Sequence, residues 1–258
     1  MSTLALALAA AWPADGARPV VVEADAAGGD LAVRFGLSDM AGLLTLAAGA
    51  RQDGAEAGLD GCTQEVPGGL RVVVAPTGMD QAAPCVAEIA AHPAVLRGES
   101  DSEGTVLLDL GHLGAAASRE LAQAADQLVL VTRGSKDALA HVAARPEWLA
   151  AAEPELVVVG ECRYAEADVA KALEMEAGQS HLVPWDARAG AALGGAGRLS
   201  ERRWRRSPLA RAAARLARHL AGVETGSRGG GLAEELAQVA TGALHGPALD
   251  PAGEGGAR

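Results

Sequence analysis

Three consecutive valines, Val20, Val21 and Val22, run directly into two carboxylates, Glu23 and Asp25, then into Gly28-Gly29 and a third acid, Asp30. A β-branched run with no polar alternation specifies a strand buried on both faces. The acids fall at its C-terminal end, which in an open α/β sheet opens into the ligand crevice. Other apolar runs repeat the pattern at 70–75 (LRVVVA), 105–110 (TVLLDL), 127–132 (QLVLVT) and 155–160 (ELVVVG), with a short one at 181–183. The stretches between them carry helical periodicity, at 2–12, 35–50, 80–92, 115–125, 135–144, 165–177 and 208–221. Alternating buried strands and helices predict the α/β class: a mostly parallel sheet with helices on both faces.

The 258 residues can hold one large α/β domain or two small ones. The chain reads as one domain over residues 1–222, followed by a flexible Gly-rich tail over 223–258 with room for a short helix. Apolar residues make up 49 % but aromatics only 2 %, so the core must be built from Ala, Val and Leu. A net charge of −11 argues against a surface that binds polyanions over its whole extent. Cys62, Cys85 and Cys162 are widely spaced and form no C-x-x-C pair, which fits a reducing cytoplasm. The apolar stretch 4–11 lacks the preceding Lys or Arg of a signal peptide and reads as a helix leading into the valine strand. No run approaches the ~20 apolar residues of a membrane span.

Ser2 and Thr3 open the first helix, where hydroxyls serve as helix caps or as ligands to a bound ion. Asp109 ends the apolar run 105–108 and precedes Gly111, and residues 182–195 (LVPWDARAGAALGG) set Pro184, Trp185 and Asp186 after a short strand. In this order, the hydroxyl-opened helix, the E-x-D strand, the apolar-Asp strand and the Pro-aromatic-Asp loop resemble the MinD/ParA-type P-loop ATPases. The resemblance covers residues 2–222. It implies a nucleotide-dependent switch that binds ATP and Mg²⁺, dimerises, and positions cargo in chromosome partitioning, division-site selection or pilus assembly. It also implies roles for single residues. Glu23 and Asp25 would be the catalytic acids that order the attacking water, Ser2 and Asp109 the magnesium ligands, Thr3 a phosphate neighbour, and Pro184 and Asp186 the lining of the base pocket. Trp185 fits either that pocket or a core anchor.

The sequence departs from the family's pattern in three places. Met1 stands at the loop lysine, Ala26 at the proline after the second acid, and Gly160 at the adenine-binding Asn. The glycine-rich loop and the strand before it are not among these residues. The resemblance therefore implies that the working protein begins roughly 10–30 residues earlier, the length of one strand and one loop. These departures also support an alternative, a catalytically degenerate relative acting as a non-hydrolysing interaction scaffold. A third class, a dinucleotide-binding oxidoreductase, would use the acid at the strand end for a ribose, but G-x-G-x-x-G is missing.

Between Arg198 and His219 stand eight arginines and one acid, Glu201, a net +7 that leaves −18 on the rest of the chain. A solvated helix face, contact with DNA phosphates and contact with an anionic membrane all remain open for this stretch. Leu209, Ala212, Leu216 and Leu220 share one helical stripe, which predicts docking against the domain.

Overall fold

The computed structural model describes residues 2–13, 18–51, 58–96 and 104–222. Met1, the turn expected at Asp15-Gly16, part of the exposed stretch 51–61 and the tail 223–258 lie outside the described residues. In chain order, α1 (Ser2–Ala11) leads to β1 (Val20–Glu23), α2 (Leu31–Phe35) and α3 (Leu43–Ala50). The hairpin strands β2 (Gln64–Val66) and β3 (Leu70–Val73) follow, then α4 (Met79–Ala91), β4 (Val106–Asp109) and α5 (Ala116–Ala124). Next come β5 (Val129–Arg133), α6 (Lys136–Ala143), α7 (Glu147–Ala151), β6 (Glu155–Val159), α8 (Glu166–Ala172) and β7 (Ser180–Val183). The described chain closes with α9 (Ala187–Leu193), α10 (Glu201–Arg206) and α11 (Pro208–Leu220).

The class is α/β, with mostly parallel strands flanked by helices. One sheet has the order β2-β3-β1-β4, with β1 parallel to both neighbours and β2 antiparallel to β3. The other is β5-β6-β7, all parallel. Side chains alternate faces along a strand, and β1 shows the consequence. Val20 and Val22 pack with Leu43, Leu46 and Ile89 of α3 and α4, whereas Val21 packs with Leu6 of α1 and Leu31 of α2. A strand covered on both sides tolerates no polar position until its end, which is why VVV precedes the acids.

The strands expected to be equally buried at β4 and β5 are not. Val106, Leu107, Leu108, Val129, Leu130 and Val131 are half-buried, while β1 and the middle of β6 are buried. The reason is topological: β4 and β5 are edges, each with a strand partner on one side only among the described residues. Leu107 of β4 and Val129 and Val131 of β5 nonetheless pack against one shared cluster, with α1 and α11.

Other differences from the sequence reading have local causes. The helix expected over 35–50 is only α3 (Leu43–Ala50); Gly36, at φ +65°, ends the separate α2 at Phe35, and residues 36–42 connect the two. The helix expected to 177 ends at Ala172, and Glu174 turns the chain with φ 54°. The short elements β2, α2, α7, α9 and α10 fall below the length at which periodicity is readable. The stripe on α11 docks as expected: Leu209, Ala212, Ala213 and Leu216 pack against Leu4, Ala7 and Leu8 of α1, with Leu220 at the margin.

Candidate functional site

Parallel pairing in register sets Glu23 of β1 beside Asp109 of β4, and the Ala24 N–H donates to the Asp109 carbonyl at 2.9 Å. Asp25 follows two residues later. Its carboxylate lies where a Cβ on Gly111 would project, so Gly111, at φ +59°, is what lets the two strand ends close together. Three acids thus converge at the C-terminal edge of one sheet, the place where the sequence put them.

Their environments differ. Glu23 is 2 % exposed and is saturated by backbone donors. Its Oε1 accepts from the N–H of Asp30 at 2.7 Å and of Leu31 at 3.1 Å, and its Oε2 accepts from Ala75 N–H at 3.1 Å. The side chain therefore caps α2, whose own N-cap residue Asp30 makes no side-chain cap, and ties that cap to the end of β3. Gly29 is required here, since a Cβ would overlap the Glu23 carboxylate and the Ala75 carbonyl. Gly28, at φ +114°, lies against the Thr77 carbonyl in the same way. Burial pushes the Glu23 carboxyl up from its ordinary value; the three backbone N–H bonds pull it back only in part, and Asp109 adds to the rise. Glu23, read from the resemblance as a water-ordering acid, is in this structure the residue that holds the loop carrying Asp25 and Asp30.

Asp25 and Asp109 keep acceptor capacity. Asp25 Oδ1 accepts the Ala27 N–H at 2.8 Å, an Asx turn, and Asp109 Oδ1 accepts the Gly111 N–H at 3.3 Å. Asp109 is buried and Asp25 half-buried. Ser2 and Thr3 begin α1, half-buried, and the Thr3 methyl faces Gly190 of α9. Asp186 caps that same helix, its Oδ1 accepting the Ala189 N–H at 2.9 Å. Pro184 is exposed. Trp185 is 75 % exposed, which removes the core-anchor reading. The structure therefore sets Glu23 and Asp109 side by side across the β1–β4 pair, with Asp25 against Gly111 just beyond, and sets Thr3 against the helix that Asp186 caps.

Two carboxylates at one sheet edge, with free lone pairs and a hydroxyl-opened helix in the same fold unit, fit an oxygen-preferring divalent cation such as Mg²⁺. The phosphate side fits less well. The lysines, Lys136 and Lys171, lie on α6 and α8, helices that follow strands of the other sheet, and neither is bonded to these acids. Among the described residues no glycine-rich loop precedes α1. The Ala75 and Asp30 N–H groups that Glu23 occupies are the part of the site that the sequence did not reveal. The only signal for them was Gly28-Gly29 itself.

No protein-family model matches the sequence, and no curated protein matches it. Solved structures do match. The septum site-determining protein MinD complexed with Mg-ADP, from Pyrococcus horikoshii, aligns at a TM-score of 0.65 with 16 % identity, over 86 % of this chain and 92 % of that one. MinD in the MinC:MinD cell division complex of Aquifex aeolicus aligns at 0.64 with 13 % identity, over 88 % and 92 %. A ParA family ATPase from Chlorobium tepidum aligns at 0.62 with 16 % identity, over 85 % and 92 %. At this level of identity the likeness is one of backbone architecture. The chain has the fold of the MinD/ParA-type P-loop ATPases.

Proposed function

We propose that this protein is a MinD/ParA-like nucleotide-dependent switch that binds Mg-ATP at the edge formed by β1 and β4, dimerises, and serves intracellular positioning of the partitioning, division-site or pilus-assembly kind. The observation that carries the reading is the convergence of Asp25 and Asp109, from separate strands, with acceptor oxygens unspent. The Mg-ADP carried by the MinD relative supports the ligand class. In this reading Asp109 and the Ser2 hydroxyl hold the ion, Asp25 orients water, and Thr3, Pro184 and Asp186 line the nucleotide. A bound Mg²⁺ would neutralise phosphate charge. The described residues offer no phosphate cradle, so no hydrolytic step is assigned to them.

The non-hydrolysing scaffold is the second reading, and Glu23 favours it: one of the two expected catalytic acids is fully engaged by backbone N–H groups. For the arginine-rich segment we propose contact with DNA phosphates. The apolar stripe of α11 is already spent on α1, and Arg202, Arg203, Arg205 and Arg206 of α10 are exposed. Equilibrium binding of labelled ATP and NAD, each with and without Mg²⁺, tests the assignment. Mg²⁺-dependent ATP binding that weakens in Asp109→Ala supports it. NAD binding with no Mg²⁺ dependence refutes it, and binding of neither leaves the scaffold.

A further inference from the structure

β6 and β7 pair so that Val157 stands opposite His181. Glu155 lies two residues before Val157 and so projects from the same face as Val157 and His181. That face is covered by α11: Val157 and Val183 pack with Leu209, Ala213 and Leu216. The helix ends over the start of these strands and brings His219, in its last turn, to the same point. His181 Nε2 lies 2.8 Å from Glu155 Oε2, and His219 Nε2 lies 2.9 Å from Glu155 Oε1. The two imidazole rings are 5.0 Å apart, tilted by 56°. One donor atom from each of the three residues falls within 4.8 Å of the others.

We propose that Glu155, His181 and His219 form a divalent transition-metal site, of the zinc class, that clips the end of α11 to β6 and β7. It lies at the N-terminal edge of its sheet, away from Pro184 and Asp186 at the C-terminal edge, and does not depend on the nucleotide reading. Two imidazole nitrogens and a carboxylate are a donor set that Zn²⁺ takes with tetrahedral geometry, leaving the fourth position to water. A tetrahedral ion with bonds of about 2.0–2.2 Å separates its ligand atoms by roughly 3.3–3.5 Å. The two bonded N···O spacings, 2.8 and 2.9 Å, need to lengthen by only a few tenths of an ångström, and the donor atoms of all three residues already lie within 4.8 Å of one another. Binding replaces the two Nε2···Oε hydrogen bonds: each neutral ring carries its single proton on Nδ1, with any further ring proton released to solvent, and gives the Nε2 lone pair to the metal. His219 is the half-exposed member, so the open position faces solvent. Mg²⁺ and Ca²⁺, which take all-oxygen shells, do not suit this set.

The test uses the full 258-residue chain, stripped of metal with a chelator and titrated with Zn²⁺ against a chromophoric competitor, with thermal melts in parallel. One equivalent should bind, and free Zn²⁺ at a hundredfold excess over Kd should raise Tm by about 5–10 °C. Mg²⁺ should do neither. His219→Ala and Glu155→Gln should each weaken binding by at least about tenfold and remove the Tm gain, while His141→Ala, on the surface of α6, leaves both intact. Glu155→Gln retains a hydrogen-bond acceptor for one imidazole, so it separates metal loss from misfolding. Co²⁺ added in place of Zn²⁺ reads the coordination directly by its visible absorption. A Tm gain that survives in both variants, or a chain that binds no Zn²⁺ beyond what the variants bind, overturns the proposal.

Discussion

Replacing Glu23 by Ala should destabilise the protein by about 2–5 kcal/mol. The side chain is 2 % exposed and accepts from three backbone donors on two segments, the Asp30-Leu31 loop and Ala75. Each buried N–H left without a partner costs about 1–3 kcal/mol, which sets an upper range of roughly 3–9 kcal/mol. Two effects reduce that figure. The Asp30 side of the loop is exposed, so water can serve its N–H, and removing the carboxylate also removes the cost of burying its charge. For a domain of this size, 2–5 kcal/mol lowers Tm by about 5–20 °C. Glu23→Gln should fall in between, because the amide oxygen can keep Asp30 and Leu31 while its NH₂ opposes the Ala75 N–H. Urea unfolding followed by far-UV circular dichroism measures both variants. If Glu23→Ala unfolds within 1 kcal/mol of the parent, the interlocking role of Glu23 is wrong.

Three further outcomes follow from the same geometry. Burial raises the Glu23 carboxyl, so its contribution to stability is fully present below the ordinary value of 4.5 and is lost as pH rises through the folded-state value. Stability measured from pH 4.5 upward should therefore fall more in the parent than in Glu23→Gln, and parallel profiles would contradict this. Leu216→Ala, which opens a hole between α11 and α1, should cost about 2–5 kcal/mol in chemical unfolding, and a loss under 1 kcal/mol would mean the two helices do not pack as described. Random duplex DNA should bind with steep salt dependence. The slope should drop by about one unit for each of Arg202, Arg203, Arg205 and Arg206 changed to Ala, and no affinity at low salt would leave α10 a solvated helix.

The class of the fold was legible because buried parallel strands leave a plain mark: VVV at 20–22, VVVA at 72–75, VLL at 106–108 and LVVV at 156–159 are apolar without alternation. The acids of the site were legible for the same reason, since a doubly covered strand admits a carboxylate only at its end, as at Glu23 and Asp109. What could not be read is what the strand end touches. Glu23 and Asp25 are two residues apart and look equivalent as text, yet one is buried under three N–H groups and the other rests on Gly111. That difference depends on Ala75, 52 positions away. The half-burial of β4 and β5 is likewise a matter of sheet order, which no local pattern encodes. The Glu155-His181-His219 cluster joins residues 26 and 64 positions apart through strand register and helix docking. Short elements such as α2 and β2 were missed because their five and three residues carry less than two turns of their periods.

Titration of the chain with labelled ATP, with and without Mg²⁺, tests most directly that the acids of β1 and β4 form a nucleotide site. ATP should bind in a Mg²⁺-dependent manner, and Asp109→Ala should weaken that binding by at least about tenfold, ~1.4 kcal/mol. Binding that ignores Mg²⁺, or that Asp109→Ala leaves unchanged, would contradict it.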